Sequence, residues 1–255
     1  RGLLGALARS PNMTLVDALV RAAESEQEPT KLATIVEVLG WRRQAEASPR
    51  LRQIARDGSL PLRRAAITAL GRIGDMDAIE VCDEALELPE LSEVASVALL
   101  LLGERSGVDF FAQALARGER WLTQSPAEIV GRYGGTGYSF LLNQTADQEG
   151  PAGIGALAGL GWMGSTRGIK KLLEHAGGRD PHRQQVALTA LEAITGHSEP
   201  SDDPHAKQRW KDWWDEHEGE FASGVRYRDG KPLTVRSLID RLAHDDVNTR
   251  RAAYD

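Results

Sequence analysis

The sequence predicts an all-α fold, a solenoid of about six helical hairpins with roughly 30 residues in each hairpin. The first observation behind this prediction is a glycine that follows a small apolar helix at intervals of 28 to 35 residues. These glycines are Gly40, Gly71, Gly103, Gly131, Gly161 and Gly196. The second observation is that the residues before them are alike, in the order EVLG, TALG, LLLG, EIVG, AGLG and AITG. Because one hairpin cannot bury its own apolar face, such repeats must stack on one another.

One repeat is clearest between Pro61 and Gly74, where the sequence is PLRRAAITALGRIG. Its apolar residues recur at helical spacing and are small, which lets a second helix approach closely. Gly71 and Gly74 are predicted to supply the left-handed conformations that end this helix. A second short amphipathic helix is predicted over residues 75–86, so the repeat is a helical hairpin.

A sequence motif connects two distant parts of the chain. The segment Ser59–Ala66, SLPLRRAA, recurs as Asp246–Ala253, DVNTRRAA, with a polar cap followed by an arginine pair and two alanines. This motif and the period resemble the short HEAT repeats that are often called PBS-lyase-type repeats. The resemblance implies a right-handed superhelix, and it covers nearly the whole chain by period, although only these two units carry the arginine pair. It implies the fold more than the function, because scaffolds, lyases and hydroxylases share this repeat.

We predict a single HEAT-like solenoid over residues 1–255, with regular repeats over 24–196. A Trp-rich insertion and a small hairpin occupy 197–232, and a further repeat starts at 233 and is truncated at 255. The chain is therefore expected to be a fragment of a longer solenoid. The insertion and the restarted repeat together look like an uncharacterised family of bacterial HEAT-repeat proteins.

Tryptophans mark two places in this organisation. Trp41 follows Gly40 and is expected to fill the turn between stacked hairpins. Trp210, Trp213 and Trp214 fall at helical spacing in the insertion, which favours a buried apolar stripe. The alternative is a recognition surface or ligand cage built on the three rings. After them, Asp229–Gly230 predicts a two-residue β-hairpin turn, and Thr234 is expected to cap the helix that follows.

Charge is distributed unevenly along the chain. Residues 1–74 hold 12 of the 31 Lys and Arg residues and 7 of the 37 Asp and Glu residues, a local net charge of +5 within a chain of −6. A net acidic chain is a poor general binder of nucleic acid, so no nucleic-acid partner is expected. The longest apolar run, residues 97–102, is far shorter than the about 20 residues that a bilayer requires, so no membrane partner is expected either.

Known catalytic patterns are missing from the sequence. The single cysteine, Cys82, lies on an apolar helix face and is interpreted as a buried structural thiol, which fits a reducing, cytoplasmic location. His197, His205 and Glu199 lie among acidic residues of the insertion, where a solvated loop is favoured over a metal site. The resemblance to iron-dependent HEAT-repeat hydroxylases does not extend to their repeated His-Glu pairs. We therefore predict no enzyme activity and no cofactor.

The function predicted from these observations is a protein–protein interaction scaffold. Its candidate partner-binding residues are Arg50, Arg52, Arg56 and Arg63, on or beside a basic second helix that is expected to dock an acidic segment of the partner. Reversal of Arg52 and Arg56 to Glu is expected to abolish partner capture without lowering the melting temperature. The alternative function is a bilin-lyase-like or small-ligand-binding HEAT protein that uses the tryptophan segment.

Overall fold

A computed structural model describes residues 13–119, 125–199 and 205–243 of the chain. Its contacts divide the chain into two compact units, unit 1 (Arg1–Phe110) and unit 2 (Phe111–Asp255). The α-helices of unit 1 are α1 Met13–Ser25, α2 Pro29–Trp41, α3 Ser48–Asp57, α4 Leu60–Ile73, α5 Ile79–Leu86 and α6 Pro89–Leu102, and α7 Arg105–Arg117 contains the boundary. Those of unit 2 are α8 Pro126–Tyr133, α9 Ser139–Ala146, α10 Pro151–Met163, α11 Ile169–Ala176, α12 Pro181–Thr195, α13 Ala206–His217 and α14 Val235–Leu242.

Helices α2, α4, α6, α8, α10 and α12 are the first helices of the repeats, and α3, α5, α9 and α11 are the second helices. Within each unit, a first helix packs on the next first helix, and each second helix packs on the first helix that follows it. Four second helices are preceded by a 3₁₀ turn, namely Ala45–Ala47, Met76–Ala78, Thr136–Tyr138 and Thr166–Gly168. Hairpins stacked in chain order confirm the predicted all-α solenoid.

The first helices begin and end where local chemistry requires. Each has proline in its first turn, where the missing N–H has no intrahelical acceptor to lose. Ser125 caps α8, since its hydroxyl accepts from the backbone N–H of Glu128. Glycines in the left-handed conformation end α4, α6, α10 and α12, at Gly74, Gly103, Gly164 and Gly196.

The recurring glycines of the sequence belong to two structural classes. Gly40, Gly71, Gly131 and Gly161 lie inside first helices, and each abuts a small residue on the next first helix. A Cβ added to Gly71 would lie 2.7 Å from the Cα of Ala98, so only glycine allows this approach. The prediction that Gly71 ends its helix in a left-handed conformation is therefore wrong, because Gly71 is helical and Gly74 alone does so.

The alignment of the repeats by their glycines is also wrong at two positions. Gly103 and Gly196, which the sequence aligns with Gly40, are the left-handed caps of α6 and α12. Residue pairs across neighbouring first helices set the true register, and these pairs are Gly40 with Ala69, Gly71 with Ala98, Gly131 with Gly159, and Gly161 with Ala190.

The insertion after α12 folds as two elements. Helix α13 packs against α11, and strands β1 (Tyr227–Arg228) and β2 (Lys231–Pro232) form an antiparallel hairpin. The predicted Asp229–Gly230 turn is confirmed, with positive φ angles of 51° and 73° at these two residues. Thr234 caps α14 in a reciprocal pair of hydrogen bonds with Ser237, as predicted. The sequence also predicts that Asp245 or Asp246 caps a final helix, and these two residues lie outside the described ones.

Candidate functional site

The C-terminal ends of the first helices, with the turns that follow them, form what we call the helix-end edge of each unit. Trp41, Arg72 and Leu101 occupy equivalent positions along this edge in three successive first helices of unit 1. Trp41 and Arg72 each follow an intrahelical glycine, and Leu101 precedes the cap Gly103 by two residues, as Arg72 precedes Gly74. Arg132 and Trp162 hold the same position in α8 and α10 of unit 2.

In unit 1 the helix-end edge exposes large apolar side chains. Trp41 is 57% exposed and Leu101 is 53% exposed, and Met76, on the turn after α4, is 55% exposed. The guanidinium carbon of Arg72 lies 4.0 Å from the centroid of the Trp41 ring, a cation–π contact between neighbouring repeats. The expectation that Trp41 fills a turn between hairpins is therefore wrong, because its ring lies on the surface beside Arg72.

In unit 2 the equivalent contact is present but covered. The guanidinium carbon of Arg132 lies 3.8 Å from the centroid of the Trp162 ring, and that of Arg228, from strand β1, lies 5.0 Å from it. Burial lowers the pKa of both Arg226 and Arg228 below the ordinary value of an arginine. Both stay charged at neutral pH, since an arginine in a protein keeps its proton.

Arg226 connects the hairpin to the ends of two first helices. Its Nε donates to the carbonyl of Met163 at 2.8 Å, and its Nη2 donates to the carbonyls of Trp162 and Arg132 at 3.1 and 3.2 Å. These carbonyls belong to the last turns of α10 and α8, where the helix leaves its C=O groups without intrahelical donors and carries partial negative charge. Arg226 thus caps two helices of neighbouring repeats at once.

The backbone of the hairpin also follows the helix-end edge of unit 2. The N–H of Tyr227 donates to the carbonyl of Gly164 at 2.7 Å, and the N–H of Asp229 donates to the carbonyl of Ala193 at 2.9 Å. A Cβ on Gly164 would lie 2.3 Å from the carbonyl oxygen of Tyr227, and one on Gly196 would lie 2.8 Å from the carbonyl carbon of Asp229. Two successive cap glycines therefore make room for the backbone of one extended segment.

Unit 1 has the same pair of cap glycines with nothing against them. A Cβ added to Gly74 or to Gly103 would meet no atom within 4 Å among the described residues. Within the same part of the chain, no donor is hydrogen-bonded to the carbonyls of Trp41, Arg72 and Ile73, which correspond to the three that Arg226 caps. The helix-end edge of unit 1 is thus built like that of unit 2, and no described residue covers these groups.

The four predicted partner-binding arginines lie on α3 and α4, and each has a partner within unit 1. Arg52 binds both carboxylate oxygens of Asp75, at 2.7 and 2.8 Å, and lies 3.3 Å from Asp77. Arg50 donates to the carbonyl of Ala23 at 3.2 Å, and Arg63 donates to the carbonyl of Ala55 at 2.9 Å.

Arg56 is the least constrained of the four. Its side chain is 45% exposed, and its contact with Glu80 is long, at 3.4 Å. Arg52, by contrast, connects α3 to the turn after α4, and its carboxylate partner Asp75 is nearly buried. Removing Arg52 would leave that carboxylate with lost hydrogen bonds, so its reversal should lower the melting temperature, contrary to the expectation from sequence.

The tryptophan segment is mainly structural. Trp210 and Trp214 are buried, which confirms the predicted apolar stripe for these two rings. Trp213 is half-buried and stacks between His197 and His217, with ring centroids 4.4 and 4.5 Å away. His197 in turn lies 2.9 Å from the Glu199 carboxylate, which also accepts from Arg209 at 2.7 Å. This arrangement ties the start of the insertion to α13.

The single cysteine of the chain lies on α5. Cys82 is fully buried, as predicted, and burial, with Asp83 and Asp75 adding to it, raises the pKa of its thiol to about 12. Within the described ranges, no three His, Cys, Asp or Glu side chains are grouped so that they could hold a metal ion. In the same ranges, no helix has both the length and the apolar character needed to cross a membrane.

Comparison with known families identifies the class of repeat. Residues 16–103 match the family model of HEAT repeats, so this part of the chain consists of HEAT repeats. A stretch of 64 residues is 39% identical to phycocyanobilin lyase subunit alpha of Picosynechococcus sp., and it covers 24% of this chain and 24% of that relative. The match thus spans about a quarter of the relative's length. Together these findings confirm the predicted resemblance to HEAT repeats of the PBS-lyase type.

Two solved structures are also similar. The complex of CpcE and CpcF of phycocyanin lyase from Nostoc sp. aligns with a TM-score of 0.49 and 21% identity, over 74% of this chain and 79% of that chain. Human deoxyhypusine hydroxylase in complex with glycerol aligns with a TM-score of 0.36 and 18% identity, over 84% of this chain and 88% of that chain.

Proposed function

We propose that this protein is a non-enzymatic interaction scaffold that binds another protein through the surface of its helical hairpins. The observation that carries the proposal is the helix-end edge of unit 1, where Trp41, Met76 and Leu101 are all more than half exposed. Apolar side chains grouped on a surface mark interaction sites more often than single exposed ones do. The equivalent edge of unit 2 supports this assignment, because a segment of the chain itself is bound there.

A second part of the proposal concerns charge. An acidic segment of the partner would meet the basic helix α3, where Arg56 can exchange its long contact with Glu80 for a partner carboxylate at little cost. Arg50, Arg52 and Arg63 would add attraction at longer range, because their guanidinium groups are already hydrogen-bonded within unit 1. The net charge of +5 over residues 1–74 acts in the same direction.

Site-specific photo-crosslinking tests the scaffold role. A photoreactive phenylalanine placed at Leu101 should crosslink to one defined protein in an extract of the native cell. The matched control places the same group at Leu60, which is 44% exposed but lies at the opposite end of α4. Equal crosslinking from both positions, or none from either, would contradict the proposal.

The charge contribution is tested on the same crosslink. Arg56→Glu should reduce its yield several-fold and make the remainder less sensitive to salt, since an exposed charge acts on association mainly by steering. Lys31→Glu reverses an exposed charge on α2 and is the control. If both reversals have the same effect, α3 has no special role.

The sequence match favours one further candidate function. The 64 residues shared at 39% identity with a phycocyanobilin lyase subunit make a bilin-lyase-like role the alternative proposal. Phycocyanobilin mixed with the purified protein should then co-elute with it in gel filtration and show an altered absorbance band. A chromophore that elutes entirely as free pigment would exclude this candidate and leave the scaffold role untouched.

A further inference from the structure

The hairpin of unit 2 shows how an extended segment binds to the helix-end edge of this repeat. It uses three kinds of contact: backbone hydrogen bonds at Gly164 and Ala193, the arginine cap from Arg226, and the guanidinium of Arg228 beside Trp162. None of these contacts depends on a feature unique to unit 2. Each depends on helix ends, cap glycines and one aromatic ring, all of which recur along the chain.

Unit 1 presents the same groups at equivalent positions. Its cap glycines Gly74 and Gly103 correspond to Gly164 and Gly196, and all four have positive φ angles, between 68° and 83°. Trp41 and Arg72 correspond to Arg132 and Trp162, so the stacked pair is kept with its order reversed. Tyr227 fills the space beside Gly164, whereas no described residue fills the equivalent space beside Gly74.

Local charge indicates what would bind there. The turn after Gly74 carries Asp75 and Asp77, where the turn after Gly164 carries Ser165 and Arg167. The Asp77 side chain is 81% exposed, and the C-terminal carbonyls of α2 and α4 add partial negative charge. Arg52 pairs with both carboxylates, at 2.7 and 3.3 Å, so one guanidinium is set against two carboxylates at this turn. A cationic side chain arriving as Arg226 does would therefore still meet more negative charge in unit 1 than in unit 2, where the turn carries Arg167.

The other cations near this edge are Arg42, Arg43 and Arg72. Arg42 and Arg43 follow Trp41 and correspond to Tyr133 and Gly134 in unit 2. The hydrogen bonds described for the hairpin end at the carbonyl of Arg132 and do not extend to that turn. Arg72 contacts the Trp41 ring, and Trp162 accommodates two guanidinium groups in unit 2.

We propose that the helix-end edge of unit 1, from Trp41 through Gly74 to Gly103, binds an extended, arginine-bearing segment of a protein partner. The segment lies along the cap glycines as the hairpin does in unit 2, and its arginine caps the carbonyls at the ends of α2 and α4. This inference rests on the proposed scaffold function, since it names the segment that the scaffold binds at this edge. It concerns a surface separate from the acidic-segment contact proposed for Arg56.

The hairpin itself supplies a probe. A cyclised peptide of residues 224–234, GVRYRDGKPLT, is titrated into the whole ¹⁵N-labelled chain, and the indole N–H resonance of Trp41 is followed by NMR. Cyclisation reduces the ordering entropy that a linear hairpin loses on binding. The Trp41 resonance should shift and saturate, while that of Trp162, already covered by the chain's own hairpin, should stay in place.

Three comparisons decide the outcome. A peptide with alanine in place of its first arginine should bind about tenfold more weakly, the loss expected for a charge-assisted cap. Asp77→Lys in the protein should also weaken binding, whereas Asp57→Lys, an exposed reversal at the far end of α3, should not. Tighter binding of a peptide with glutamate at both arginine positions, or an unmoved Trp41 resonance, would overturn the inference. Neither result would affect crosslinking from Leu101, which tests the scaffold role separately.

Discussion

The two helix-end edges of this protein are built alike, but they differ in which residues of the chain lie against them. In unit 2 a hairpin supplied by the insertion covers the ends of the first helices, and Arg226 caps the carbonyls of Arg132, Trp162 and Met163. In unit 1 no described residue covers the equivalent carbonyls and cap glycines, and Trp41 is 57% exposed. The repeat therefore presents the same kind of helix ends in both units, and in unit 2 an inserted segment covers them.

This difference has a general cause in helix chemistry. Every α-helix ends with carbonyl groups that lack intrahelical donors, and a left-handed glycine cap satisfies only some of them. A solenoid aligns these ends along one edge, so the unsatisfied groups of successive repeats lie near one another. One side chain with several donors, such as Arg226, can then donate hydrogen bonds to the helix-end carbonyls of two repeats. A cap made by a residue within one helix reaches the carbonyls of that helix alone.

The largest effect that we expect concerns Cys82, whose reactivity reports on unit 1 alone. Its thiol is buried and its pKa is raised to about 12, so very little thiolate exists below pH 10. At pH 8 a thiol reagent should modify the native chain at least about 100-fold more slowly than the unfolded chain, because only opened molecules react. Comparable rates in the two states would show that unit 1 is not packed as described here.

The next prediction compares two cap glycines that differ in what lies against them. Gly164→Ala and Gly74→Ala each place a side chain at positive φ, which costs about 1 kcal/mol. At Gly164 the new Cβ would also overlap the Tyr227 carbonyl, so a further 1–3 kcal/mol, roughly the cost of overpacking, is expected there. Chemical denaturation of both variants measures the difference in the free energy of unfolding. Equal losses would mean that the hairpin does not press on Gly164.

A third prediction removes the arginine that joins the hairpin to the helix ends. Arg226→Ala should destabilise the protein by about 2 kcal/mol, because three carbonyl acceptors lose a charged donor. Arg226→Lys should recover little, since an ammonium group lacks the planar fork that reaches several acceptors. Arg236→Ala, which removes an exposed partner of Asp240, is the control and should change stability by only a few tenths of a kcal/mol. The hairpin is dispensable for stability if Arg226→Ala and Arg236→Ala unfold alike.

The features that the sequence predicts correctly are those whose signals come from neighbouring residues. The Asp229–Gly230 turn and the Thr234 cap depend on residues close together in the chain, and the structure confirms both of them. The role of Gly71 could not be predicted from the residues beside it in the chain. A glycine near a helix end looks the same whether it caps the helix or admits a neighbour, and only the approach of Ala98 distinguishes the two.

The candidate site was less predictable than the fold for the same reason. Arg226 and Arg132 are 94 residues apart in the chain, so no pattern in the sequence indicates that one caps the other. The basic residues around Arg52 are visible in the sequence as local positive charge. The pairing of Arg52 with Asp75 depends on the stacking of one repeat on the next, which composition does not contain.

The smallest effect tests whether the stacked pairs of the two edges are energetically equivalent. Arg72→Ala should cost about 0.5 kcal/mol, the lower end of the range for an exposed cation–π contact. Arg132→Ala should cost about twice as much, since Trp162 is covered by the hairpin and its contact with Arg132 is better shielded from water. Trp41→Ala and Trp41→Ala/Arg72→Ala complete a double-mutant cycle that isolates the pairwise energy in unit 1. If Arg72→Ala costs as much as Arg132→Ala, covering the edge adds nothing to the stacked pair, and the hairpin stabilises unit 2 only through its hydrogen bonds.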